Sequence, residues 1–103
     1  MTQPHDRAHF SALTCPASVT WTNDIKNLFT SVDVAHMKQV TSGNLDLSDY
    51  NSARVWATQI YSRVANGSMP PPGTIGPDGN PEPAWTPAMV NLFGCWIQKG
   101  TPQ

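Results

Sequence analysis

The sequence predicts an all-α domain, a small bundle of about four helices of which two are short. Three observations carry this. Apolar residues recur at helical spacing in four separate stretches. No stretch alternates with the period of two that a half-buried strand needs. Each apolar stretch is bracketed by capping or turn residues. The chain has 103 residues, enough for one domain with one modest core.

The elements follow in order. Residues 1–20 contain Pro4 and Pro16 and hold no sustained period, so they read as an irregular N-terminal arm before a single helical domain, 21–103. Thr22 can cap a short helix over about 23–29, with Asp24 in its first turn and Ile25, Leu28 and Phe29 on one face. A second short helix is expected over about 32–40, capped by Ser31 or Asp33. Val34, Met37 and Val40 share its apolar face, and His36 sits at the edge of that stripe. Gly43 and Asn44 break the pattern. Ser48 then reads as the cap of the longest helix, about 49–66. Tyr50, Ala53, Trp56, Ala57, Ile60, Tyr61 and Val64 fill its inner arc, while Gln59 falls on the wet side. Asn66-Gly67 ends it.

Residues 68–84, SMPPPGTIGPDGNPEPA, carry six prolines and three glycines and exclude both helix and strand. A loop this long in a compact domain is often functional. Thr86 and Pro87 then start a last helix, about 87–99, with Met89, Val90, Leu92, Phe93, Trp96 and Ile97 inward. Gly100 is its left-handed stop.

Composition removes several classes of function. The net charge is −1 with only six Lys and Arg, and these are scattered, so no nucleic-acid footprint is expected. No apolar run approaches the roughly 18–20 residues that span a bilayer. The opening MTQPHDRAHFSALTCP has neither a basic nor an apolar leader region, which gives a cytoplasmic expectation. Two cysteines, Cys15 and Cys95, cannot form a four-thiolate metal site. A disulfide between them would add about 4 kcal/mol by closing a long loop, but in a cytosolic protein two free thiols are the expected state. His5 and His9 stand one helical turn apart with no third ligand in sight, so they read as part of a solvated arm. No G-x-S-x-G and no paired acids in an apolar setting are evident, so no enzyme is expected.

Several residues carry a resemblance. They are Asp24-Ile25, Leu28-Phe29, His36, Leu47, Tyr50, Gly67, Met69-Pro70-Pro71, Trp85, and Trp96-Ile97 followed by Gly100. In this order they resemble the class I cytochrome c domain over about 21–101, and within it a group of small bacterial domains that keep the skeleton and lack the haem motif. His36 takes the place of the proximal iron ligand and Met69 that of the distal one. Val32 and Ala35 stand where both tethering cysteines belong, so covalent haem is excluded. The resemblance implies a haemless, non-catalytic accessory subunit with no cofactor. It implies a protein partner, such as an enzyme encoded nearby, and a contact surface around Met69, Pro70, Pro71 and Trp85. The alternative it implies is noncovalent haem held by His36 and Met69 for electron transfer or haem sensing. A further option is a small ligand in an aromatic cavity where haem would lie.

Overall fold

The computed structural model describes residues 15–103. The readings made on 1–14, including the His5–His9 pair, lie outside the described residues. All regular elements among those described are helical, as expected. A π-helical turn, Trp21–Ile25, runs into a 3₁₀ turn, Lys26–Leu28. Four α-helices follow: α1 Ser31–Val40, α2 Tyr50–Val55, α3 Ala57–Ala65 and α4 Pro87–Gln98.

The first turn, α1, α2 and α4 each start where a side-chain oxygen takes an orphan N–H, whereas α3 follows directly on α2 and has no side-chain cap. Thr20, not Thr22, caps the first turn: its hydroxyl accepts from Asn23 N while its own N–H donates to Asp24 Oδ2. Thr30, not Ser31, caps α1. Asp33 is the reciprocal partner in a capping box, accepting from Thr30 N at 3.0 Å. Asp49 rather than Ser48 caps α2, and Thr86 with Pro87 starts α4 as read.

The long helix expected over 49–66 is interrupted once. Trp56, at φ −94 and ψ 9, leaves helical geometry and divides α2 from α3, although Ile60 N still reaches Trp56 O at 2.9 Å. α3 therefore follows on α2 without an intervening loop. Gly67, at φ +82, then turns the chain, and Ser68 N and Met69 N both close on Arg63 O at 3.0 and 3.2 Å. The Met69–Pro70 peptide is cis.

The core is built on α4, which packs against α3 and the first helical turn. Phe93 and Trp96 are fully buried, and rings surround them: Trp21 lies 5.8 Å from Trp96, Trp85 lies 5.9 Å from Phe93, and Phe29 lies 5.5 Å from Trp85. Such offset and edge-on pairs each add to the burial of their area. Two polar ring groups of this cluster reach the C-terminal segment. Trp96 Nε1 donates to Pro102 O at 2.8 Å, and Tyr50 OH donates to Thr101 O at 2.6 Å.

Cys15 and Cys95 form a disulfide, with Cα atoms 5.6 Å apart. The expectation of two free thiols is thereby corrected. It rested on an assumed compartment, whereas the fold brings both sulfurs to the buried side of α4, where Cys95 is 0% exposed. The proline-rich segment has no helix or strand, but it is not slack. Gly76 N donates to Asn80 O and Glu82 N to Thr74 O, closing a tight hairpin-like turn with one bridge between Ile75 and Pro81.

Candidate functional site

Among the described residues one groove is more enclosed than a larger, more open hollow beside Tyr61 and Trp85. The groove encloses about 430 Å³, within the range of small-molecule sites, and is open on one side. Three elements build it. α1 contributes His36, Met37 and Val40, which share a face at i, i+1, i+4. α3 contributes Gln59, Ile60 and Arg63 with the same spacing, and Trp56 stands at its start. The turn after Gly67 swings Ser68, Met69 and Pro71 across the end, and Leu45 closes the floor.

The floor is apolar and rigid. Leu45 and Ile60 are 1% exposed and Met69 is 3% exposed. Trp56 is only half-buried, so part of its ring faces the opening. The polar groups are His36, Thr41, Asn44, Gln59, Arg63 and Ser68, and the lining holds no Asp or Glu. Thr41 is already committed: its hydroxyl donates to Met37 O and accepts from Leu45 N. The surface is thus apolar with hydrogen-bond donors and a guanidinium at its rim, suited to hold a flat organic molecule.

His36 and Met69, singled out from the sequence, do line this one groove. The other residues placed in a contact surface sit differently. Trp85 is 8% exposed and stacks within the ring cluster, and Pro70 is buried. Only Pro71 of that group is half-buried at the groove edge. Among the described residues no group of three or more His, Cys, Asp or Glu is placed to hold a metal.

Sequence reasoning missed Arg63 and a carboxyl pair. Arg63 falls one turn beyond Gln59 and three residues after Ile60, just before the Asn66-Gly67 stop. That register places it beside the apolar arc rather than opposite it. The pair is Asp33 and Glu82, more than forty residues apart in the chain and joined through Thr30. The Thr30 hydroxyl lies 3.2 Å from Glu82 Oε2, and Asp33 is 4% exposed. Partial burial, a hydrogen bond with Asp33 and the Asp33 charge push Glu82 up to about 7, against a smaller opposing effect of Thr30. The pair fastens the proline-rich turn to the N-terminus of α1. It does not line the groove. On the far side of α3, a shallower hollow runs along Tyr61, Val64 and Trp85, where burial raises the Tyr61 phenol.

Two curated proteins are similar to this chain. The cyclopenase penL of Penicillium thymicola is 35% identical over 92 residues, covering 85% of this chain and 12% of that protein. The cyclopenase asqI of Emericella nidulans is 31% identical over 91 residues, again 85% of this chain and 12% of that protein. The chain thus spans about one eighth of the length of the curated relatives it matches. No family model matches it, and no solved structure matches it.

These relatives overturn part of the sequence reading. The resemblance to a bacterial cytochrome c-like domain gives way to similarity with fungal proteins named as enzymes. The non-catalytic, haemless accessory role falls with it, as does the haem-carrying alternative and the expectation that no enzyme is involved. The cytochrome-like signals are explained by packing. Trp96, Trp85 and Met69 are core residues, and Gly67 and Gly100 are helix stops at φ +82 and +90.

Proposed function

We propose that this chain is a helical domain of a cyclopenase-related enzyme, and that its part is to hold a small organic substrate in the groove between α1, α3 and the Met69–Pro71 turn. The similarity to two cyclopenases supports the enzyme class. The observation that carries the role is the groove itself, an apolar floor of Leu45, Ile60 and Met69 rimmed by donors and one guanidinium. The reading needs no cofactor on this chain. The partner expected from the sequence becomes the catalytic machinery that acts on the held molecule. The scattered cations leave nucleic acid out of this reading. Among the described residues no helix is long and apolar enough to cross a membrane. A disulfide such as Cys15–Cys95 persists in oxidising compartments, and we place the protein in one rather than in the cytoplasm expected from its sequence.

The test is direct binding of the substrate accepted by the two fungal cyclopenases, measured by calorimetry. Saturable binding is expected. Ser68→Trp puts a ring into the groove mouth from an exposed position and is expected to abolish it without changing helicity. Equal binding by wild type and Ser68→Trp would place the ligand elsewhere.

A further inference from the structure

We infer that Asn66 carries an N-linked oligosaccharide, attached through its side-chain amide at the turn that ends α3. This rests on the oxidising compartment proposed above and adds a modification site to the chain.

The sequence supplies the acceptor. Asn66-Gly67-Ser68 has the pattern N-x-S with no proline between, and no other asparagine of the chain is followed two positions on by serine or threonine. The ordinary role of an Asn-Gly pair is to stop a helix, and Gly67 at φ +82 does so here. That stop rests on the glycine and makes no use of the asparagine Nδ2 or the serine hydroxyl.

The fold leaves both groups outside. Asn66 and Ser68 are exposed. Asn66 Oδ1 accepts from Ser68 N at 2.9 Å, so the turn engages the amide through its oxygen, and among the described residues its Nδ2 has no hydrogen-bond partner. Ser68 Oγ has only a long contact, 3.4 Å, to Arg63 O. The nitrogen that would bear the sugar and the hydroxyl that a transferase reads are thus both spared by folding. A hydrated sugar on a buried or bonded amide would disrupt its surroundings, and here it displaces nothing. Asn66 borders the shallow hollows beside α3, not the groove, whose edge is Ser68. The sugar therefore stands beside the groove mouth and leaves the floor of Leu45, Ile60 and Met69 open.

The transfer needs one co-reactant, an oligosaccharide carried on a polyprenol diphosphate. Asn66 Nδ2 forms a bond to the anomeric carbon as the bond from that carbon to the diphosphate oxygen breaks. The polyprenyl diphosphate leaves with the bonding pair and Nδ2 gives up one proton. Nothing is oxidised or reduced.

The experiment uses the full chain from two preparations: secreted from yeast behind the host's own leader, and isolated from its natural source. Each is reduced, digested with trypsin and treated with the amidase that removes N-glycans, in water labelled with heavy oxygen. The peptide 64–99 is then weighed. Asn66 is expected to be converted to Asp with one heavy oxygen in both. Spontaneous Asn-Gly deamidation before the treatment leaves no label. Ser68→Ala is expected to abolish the label and Ser68→Thr to keep it. Both retain the backbone bond from position 68 to Asn66 Oδ1, so loss in the first alone is not a folding effect. Ser68→Ala also serves as the control for Ser68→Trp, since it removes the sugar and leaves the groove open. No label in the yeast protein, or a label that persists in Ser68→Ala, would overturn the site. A label in the yeast protein and none in the natural one would overturn the modification of this protein. Free thiols at Cys15 and Cys95 in that natural preparation would show that the compartment reading had failed first.

Discussion

Glu82 is a single residue whose proton is tied to the fold. Its carboxyl is half-buried beside Asp33 and Thr30, and its proton leaves only near pH 7 in the folded chain, against about 4.5 in an ordinary setting. The direction of the stability effect follows. Below about pH 4.5 folded and unfolded chains both carry this proton. Between there and about 7 only the folded chain keeps it, so stability falls as pH rises through that window and then levels off. Glu82→Gln removes the charge and keeps the hydrogen-bonding shape. It is expected to flatten this part of the pH profile and to raise stability at pH 8 by about 1 kcal/mol, after allowance for solvent screening at a partly exposed site. Urea unfolding at pH 4.5 and pH 8 measures both. A wild-type profile that rises steadily over the same window would show that Glu82 does not keep its proton up to about pH 7 in the folded chain.

At the scale of the element, capping explains most of the boundaries. Thr30 joins the entry of α1 to the proline-rich turn, since it caps Asp33 N and its hydroxyl also reaches Glu82. Thr30→Ala is expected to cost about 1–2 kcal/mol, more than an isolated cap, because one hydroxyl both caps Asp33 N and donates to the Glu82 carboxyl. The loss should shrink when Glu82 is already Gln, and a double-mutant cycle measures the difference. The helices themselves were legible in the sequence because apolar spacing and stop residues are local signals. Thr86-Pro87 and Asn66-Gly67 mark their boundaries from a few residues alone. The interruption at Trp56 was not legible. No glycine, proline or capping residue stands at this point to mark the break. The shifts of cap from Thr22 to Thr20 and from Ser48 to Asp49 are choices between capping residues one or two positions apart, which tertiary packing decides.

At the scale of the whole molecule, the disulfide and the ring cluster hold the two ends of the described chain together. The bridge spans a sequence separation of 80 residues, and Trp21 meets both Trp96 and the C-terminal segment through Pro102. Replacing Cys15 with Ser and Cys95 with Ala is expected to lower stability by about 3–5 kcal/mol, read as a large fall in the denaturation midpoint with helicity retained at low temperature. A change below about 1 kcal/mol would mean that the bridge closes nothing the core has not already closed.

The candidate site divides the same way between local and long-range signals. His36 and Met69 were picked out as a pair and do share one groove, but on a resemblance to haem proteins that the fungal relatives overturn. Arg63 had no pattern to announce it, since an arginine near a helix end is ordinary. Asp33 and Glu82 meet only because the proline-rich turn folds back on α1, and no spacing in the sequence encodes that return.

The claim on which the rest depends is that the groove between α1 and α3 is the ligand site. Methionine-methyl NMR of the intact protein, titrated with the substrate of the two fungal cyclopenases, tests it most directly. Saturable shifts of the Met37 and Met69 methyl signals are expected, with Met89 unmoved. Shifts confined to Met89, or none at saturating substrate, would contradict it.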